Sequence, residues 1–305
     1  MQLWDYAIIA ITACGATCVA KVSQVDDTVL GAGAISVMDR HEFRVTFAPD
    51  RSEALFSYYD EVETYQIGYA IRQGRGWSAG GAPGYIELLA GSAVLEPQIS
   101  ADGQTIVFNS NYQSTDQDDY NLWFTQRVGD GWTAPVAFSS SINSASAEWY
   151  PTIVEADRLY FGSERSGGYG GIDLYVAENA FDDSAQAVPL QAPVNSSANE
   201  YDPCIDPLER FMIFVSDRRG GYGGTDLYIA LPDRNGEWTE VYLVGEPVND
   251  SGPAPTAPML SQDGRNLLVS SQRGTRDPLG DIVSIPLELV FESAGLDLDS
   301  VLGNT

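Results

Sequence analysis

The chain has 305 residues and a formal net charge of −27, with 43 acidic against 16 basic side chains and one histidine. Such a surface repels nucleic acid, anionic lipid headgroups and acidic substrates, and its natural partners are cations and basic protein surfaces. A chain of this length buries a large core, as one repeat domain or two small domains.

The first segment, residues 1–21, reads as a leader. Tyr6 to Ala20 is apolar and small-residue-rich, and polarity returns at Lys21, the only lysine. Fifteen residues suit a secretory h-region better than a bilayer span. Ile11-Thr12-Ala13-Cys14 reads as a lipoprotein cleavage box with Cys14 as the lipidation candidate, and Cys18-Val19-Ala20 as an alternative signal-peptide end. Met1 to Asp5 lacks the positive charge usual before such a region, which leaves a buried N-terminal strand as the other reading. Export to a periplasmic or outer-membrane-associated location is the expectation, with the membrane reached only through lipid on Cys14. Cys204 then stays as a small buried hydrophobe, because one cysteine and His41 cannot build a Cys/His metal site.

After the leader, Val29 to Val37 reads as one strand. Five repeats follow. Phe56, Phe108, Phe161, Phe214 and Val269 fall 52, 53, 53 and 55 residues apart. The polar residue opening the next strand falls at Gln66, Asn121, Asp173, Asp226 and Asp281. Before each pair comes a run entered through Pro97, Pro151, Pro203 or Pro258, then a short turn such as Asp102-Gly103 or Asp263-Gly264. Fourth runs follow at Trp132–Val136 and Trp238–Tyr242. Four short strands per period, with no helical periodicity, predict a propeller blade. The fold expected is all-β, a five-bladed β-propeller of four-stranded antiparallel blades spanning residues 22–296. Its blades are expected at Phe43–Leu95, Glu96–Tyr150, Pro151–Asp202, Pro203–Ala257 and Pro258–Leu296. Val29–Val37 or Leu289–Glu292 is expected to close the ring, because an open edge strand invites aggregation. Residues 297–305 read as a polar tail.

The repeat is sharpest in SERSGGYGGIDLYVA, from Ser163 to Ala177, and SDRRGGYGGTDLYIA, from Ser216 to Ala230, one 53-residue step apart. With Asp102-Gly103 and Ile106-Val107-Phe108, this pattern resembles the TolB-like, WD-repeat-like bacterial β-propeller repeat over about Phe43 to Leu287. The family's repeats occur in periplasmic proteins, beside peptidoglycan-binding modules and beside peptidase domains. The resemblance therefore implies envelope scaffolding or binding rather than one fixed activity. TolB itself is similar only at repeat level, since it has six blades and a separate N-terminal domain.

Most of the doublet reads as blade chemistry: glycines for the turn, Asp173 and Asp226 accepting backbone N–H bonds, and Arg165 and Arg218 paired to carboxylates. Asn121 and Asp281 hold the same place in their repeats. Binding is expected on the face shared by the loops between second and third strands and the blade connections. That face should carry Tyr169, Tyr222, Tyr112, Glu148, Glu200, Arg165 and Arg218, with exposed tyrosines as adaptable contacts for a peptide or glycan. Asp116, Asp118 and Asp119 form a weak Ca²⁺ candidate, read first as a solvated acidic turn; no other metal and no cofactor is expected. Gly76-Trp77-Ser78-Ala79-Gly80 matches a nucleophile-elbow pattern, but Pro83 and Gly84 follow and no helix is predicted. Five-bladed propellers also host glycoside hydrolases, which need carboxylates converging on the channel. Glu96, Glu148, Glu200 and Asp202 stand just before inner strands, although Glu148 and Glu200 occupy equivalent repeat positions. The function expected is non-catalytic binding or scaffolding in the cell envelope, by a monomer with a protein or glycan partner. The alternative is a propeller glycoside hydrolase or lyase.

Overall fold

The structure, a computed structural model, describes residues 30–31, 33–37, 40–59, 65–81, 83–114, 116, 118–129, 131–155, 157–252, 254–272 and 280–303. The leader, with Cys14, lies outside the described residues.

The chain forms a five-bladed β-propeller. Blade 1 holds β1 (His41–Phe47), β2 (Glu53–Tyr59), β3 (Gln66–Gln73) and β4 (Gly76–Ala79), and a short helix, α1 (Gly84–Glu87), leads on from it. Blade 2 holds β5 (Val94–Ile99), β6 (Thr105–Ser110), β7 (Asn121–Val128) and an outer strand in two pieces, β8 (Gly131–Trp132) and β9 (Val136–Ala137). Blade 3 holds β10 (Glu148–Val154), β11 (Arg158–Ser163), β12 (Asp173–Ala177) and β13 (Ala187–Pro189). Blade 4 holds β14 (Glu200–Ile205), β15 (Met212–Ser216), β16 (Asp226–Pro232) and β17 (Trp238–Leu243). Blade 5 holds β18 (Thr256–Leu260), β19 (Asn266–Ser271) and β20 (Asp281–Pro286). All pairings are antiparallel, and Phe56, Phe108, Phe161, Phe214 and Val269 are buried in their second strands as their spacing predicts.

The inner strands begin a few residues before the expected boundaries, so Glu148 and Glu200 belong to β10 and β14 rather than to the connections. Each inner strand also carries a bulge at one equivalent place. Arg44, Glu96, Tyr150, Asp202 and Ala257 have φ between 48° and 58°, and the strand register shifts at each. Proline follows four of these residues. It is tolerated there because an edge strand has no ladder partner for the missing N–H.

The inner edges are stitched blade to blade. Thr46 Oγ1 accepts from Ile99 N at 3.0 Å, and the Gln98 side chain accepts from Ile153 N. Thr152 Oγ1 donates to Pro203 O at 2.5 Å, Asp202 Oδ2 accepts from Ala257 N at 3.1 Å, and Gln262 donates to Ala48 O. One side chain thus satisfies a neighbouring backbone group at each of the five interfaces.

Three expectations are corrected. The described part of Val29–Val37, residues 30–31 and 33–37, does not form a strand: Gly31 and Gly33 adopt φ of 60° and 82°, outside extended geometry. The segment still helps to close the ring, with Leu30 N–H donating to Ile282 O at 3.2 Å and Ile35 packed among Val45, Phe56, Met259, Leu268 and Ile282. Leu289–Glu292 lies in a helix, α2 (Leu287–Ser293), because Leu287, Val290 and Phe291 bury at helical spacing after Pro286. The polar tail contains α3 (Leu298–Leu302), capped by Asp297 accepting from Ser300 N at 2.7 Å and ended by Gly303 at φ 73°.

Candidate functional site

The doublet motif builds a brace. Glu148 Oε1 and Oε2 accept from Ser144 Oγ at 2.6 Å and Ser144 N at 2.9 Å, and Ser163 Oγ donates at 2.9 Å. Arg165 Nη2 meets the same carboxylate at 3.1 Å while its guanidinium stacks 4.7 Å from the Tyr175 ring centre. Blade 4 repeats this with Glu200, Ser196, Ser216 and Arg218, the Arg218–Glu200 distance again being 3.1 Å and the Tyr228 stack 4.8 Å. Both glutamates are fully buried. Burial raises the Glu148 carboxyl, opposed by its serine and arginine partners. Glu148, Glu200, Arg165 and Arg218, expected on a binding surface, are therefore turned inward as structural braces.

Asp173 accepts from Tyr169 N at 2.8 Å, and Asp226 accepts from Tyr222 N at 2.9 Å, so both hold the glycine loops as their spacing implies. Asn121 opens β7 opposite Ser110, and Asp281 opens β20 opposite Ser271. Sequence reasoning missed a third repeated group. Asn143, Asn195 and Asn249 each accept from the backbone N–H of Leu122, Leu174 or Leu227 and donate to the same residue's carbonyl. Their recurrence just after each fourth strand was the available signal.

Tyr169 and Tyr222 remain exposed at 44% and 39%, and the Tyr169 hydroxyl donates to Gln191 Oε1 at 2.7 Å. Tyr112 is half-buried against Trp123, with ring centres 5.4 Å apart. In the acidic loop, Asp116 accepts from Asp118 N at 3.1 Å and Asp119 from Ser114 Oγ at 2.9 Å. Among the described residues, no three His, Cys, Asp or Glu side chains come together in an arrangement that could hold a metal.

The five bulges put unlike side chains at equivalent places around the axis. Arg44, Glu96 and Asp202 are all buried there. Arg44 Nε lies 3.5 Å from Glu96 Oε2 and its Nη1 lies 3.4 Å from Asp202 Oδ1. Its Nη2 donates to Pro151 O at 2.7 Å and Thr152 Oγ1 at 2.9 Å. Burial, then the Asp202 charge, pushes the Glu96 carboxyl up to about 8 against the pull of Arg44. Burial likewise raises Asp202, again opposed by Arg44. Tyr150, the blade 3 member, has its phenol raised well above its ordinary value by burial and then by the Asp202 and Glu96 charges.

Beside this ion-paired ring, on the face of the glycine loops, lies a crescent of aromatic rings. His41, Phe43, Tyr59 and Tyr65 interlock in blade 1, with Tyr59 and Tyr65 centres 5.5 Å apart. Tyr120 of blade 2 lies 4.3 Å from Trp149, Trp149 lies 6.1 Å from Tyr150, and Tyr150 lies 5.6 Å from Tyr201 of blade 4. Tyr65 is exposed, and Tyr59, Trp149, Tyr150 and Tyr201 are half-buried. The Trp149 indole donates to Glu164 Oε1 at 3.1 Å.

On the opposite face, where first-to-second-strand turns emerge, a cavity of about 620 Å³ opens on the axis. Its walls come from all five inner strands, including Val45, Ile99, Ile153, Cys204 and Met259. Leu302 of α3 stands at its lip, tethered by Arg210 Nη1 donating to Leu302 O at 3.4 Å. Burial pushes the Cys204 thiol up to about 12. A second hollow of about 770 Å³ lies on the glycine-loop face, lined by Gly171, Ser196, Asn199, Asp217, Arg218 and Arg219.

No family model matches the chain, and none of the curated proteins does. Among solved structures, an alpha-L-arabinofuranosidase from Lactobacillus brevis is 11% identical with a TM-score of 0.54, covering 86% of this chain and 94% of that one. A putative TolB from Agrobacterium tumefaciens is 15% identical with a TM-score of 0.48, covering 78% and 70%. TolB from Acinetobacter baumannii is 15% identical with a TM-score of 0.42, covering 81% and 53%. At these identities the likeness is one of fold.

Proposed function

We propose that this chain is a non-covalent recognition module that engages a protein or glycan through the face bearing the glycine loops and the aromatic crescent. The observation that carries the reading is the departure from repeat symmetry at the axis. Five equivalent bulges hold five different residues, and the carboxylates among them are clamped by Arg44 rather than open to a substrate. Half-exposed aromatic rings beside such a closed floor suit adhesion, because they offer large contact area at little entropic cost. We place this module in the bacterial envelope on the strength of the apolar Tyr6–Ala20 segment.

The test is retention of the full chain on immobilised envelope fractions. Wild-type protein should be retained, and Trp149→Ala, Tyr201→Ala and Tyr169→Ala should weaken retention while melting normally. Retention indifferent to all three would reject this face. Mass spectrometry of the exported protein should find the leader removed; a native chain still beginning at Met1 would reject cleavage.

Glycoside hydrolysis is the second reading. It is favoured by Glu96 and Asp202 sharing the axis and by Glu96 holding a proton near neutral pH, as a general acid must. Turnover separates the two readings.

A further inference from the structure

We infer that the aromatic crescent receives a cationic segment, a stretch of polypeptide carrying lysine or arginine side chains, laid across the rings of Trp149, Tyr150, Tyr201 and Tyr65. The inference rests on the recognition reading above and names the chemistry of the partner.

Two observations converge on this partner. The first is the crescent itself. Its rings span four of the five blades, and Tyr59, Tyr65, Trp149, Tyr150 and Tyr201 each keep part of their surface exposed. Ring faces attract cations, most strongly for tryptophan. The second is charge. Two of the three doublet-loop arginines are spent, since Arg165 and Arg218 point inward to Glu148, Glu200 and backbone carbonyls, while the third, Arg219, is exposed at the same hollow as Asp217. Acidic groups on the same face stay at the surface: Asp116, Asp118, Glu164 and Asp217 are exposed. Glu164 is fixed beside the Trp149 indole, so one ring and one carboxylate are presented together. With a net charge of −27 behind it, this face draws in a basic segment and opposes an anionic one. The rings would then fix where each cation sits.

The test must separate ring recognition from the general attraction of an acidic protein for a basic peptide. The probes are a lysine–serine octapeptide, the same peptide with norleucine replacing lysine, and cellohexaose, each titrated calorimetrically into the full chain. We expect the lysine peptide to bind and the norleucine peptide to lose binding. Trp149→Ala and Tyr201→Ala should each weaken the lysine peptide roughly tenfold, whereas Trp149→Phe and Tyr201→Phe keep most of the affinity. Melting curves check that each variant folds, and Tyr242→Phe, on the outer strand of blade 4, serves as a control that should change nothing.

Lysine-peptide affinity unchanged in both alanine variants would overturn the inference, since bulk charge alone would then account for binding. Ring-dependent binding of cellohexaose without ring-dependent binding of the peptide would also overturn it, while leaving the recognition face intact. Ring-independent results for every probe would overturn both.

Discussion

The brace around Glu148 and the ring around Arg44 are both buried ion-pair systems, yet they obey opposite rules. The brace is copied. Its blade 4 version around Glu200 reproduces the same partners and nearly the same distances. The axial ring is not copied: Arg44, Glu96, Tyr150, Asp202 and Ala257 occupy one structural position, and apart from the two carboxylates they share no chemistry. A feature repeated from one copy to the next is explained by the needs of a blade. A feature that differs from copy to copy is set by what the whole ring must do at its single axis. This difference directs attention away from the conspicuous glycine doublet and toward the mouth of the channel.

The largest effect expected from breaking this contrast is at Arg44. Arg44→Met should destabilise the chain by about 3–5 kcal/mol, because Asp202 would be left buried without its cation and Pro151 O and Thr152 Oγ1 would lose their buried donor. Arg218→Met should cost less, about 1–3 kcal/mol, since Glu200 keeps its serine donors. Denaturant unfolding of the two variants side by side measures the gap, and equal losses would mean that the axis is no more dependent on its cation than the brace is.

The next effect tests how far the copies really match. Gly170 and Gly223 hold the same place in the doublet, but a Cβ on Gly170 would lie 1.7 Å from Ala198 O, whereas on Gly223 the nearest atom is 3.8 Å away. Gly170→Ala should destabilise by about 1–3 kcal/mol and Gly223→Ala by no more than about 0.5 kcal/mol. Melting temperatures of the pair decide the point, and a tolerated Gly170→Ala would show that the loop of blade 3 can move off the Ser196–Asn199 connection.

A further effect is expected from pH. Folding raises Glu96 from 4.5 to about 8 and Glu42 from 4.5 to about 7, in each case chiefly by burial. The folded state therefore holds protons that the unfolded state releases. Stability contributed by these groups is full below about pH 4.5 and is lost as pH rises through 7 and 8. The melting temperature should fall between about pH 5 and about pH 9, and Glu96→Gln should flatten that fall. A melting temperature that rises over this range, or a fall unchanged in Glu96→Gln, would contradict the assignment. The smallest effect is at the loop tips, where Tyr169→Ala and Tyr222→Ala should change stability by no more than about 0.5 kcal/mol, as exposed side chains do.

The blades were legible because each repeat states its strands through alternating apolar runs, turn residues and near-constant spacing. Phe108, Phe161 and Phe214 land where the period puts them. The chain ends of the propeller were less legible. Val29–Val37 has the composition of a strand, but Gly31 and Gly33 bend it into turns that pack Ile35 instead. Leu289–Glu292 is apolar enough for a strand, and only its neighbours Leu287 and Phe291 reveal helical spacing. The axial ring was written in the sequence as the residue beside each inner-strand bulge, immediately before Pro97, Pro151, Pro203 and Pro258 in four blades. Its meaning was hidden because Arg44 meets Asp202 across 158 residues of chain, a contact that ring closure creates and local pattern cannot. In the sequence the acidic residues there look like strand-entry carboxylates, and no local pattern marks the arginine between them.

Turnover is the most direct measurement of the central claim that the axis holds rather than transforms. Purified full-length protein, its Glu96→Gln variant and its Asp202→Asn variant can be incubated with aryl α-arabinofuranoside, arabinan and bacterial cell-wall polysaccharide, with release of reducing sugar followed. The account predicts no turnover by any of the three. Hydrolysis by the wild type that disappears in Glu96→Gln and Asp202→Asn, with both variants folded, would contradict it.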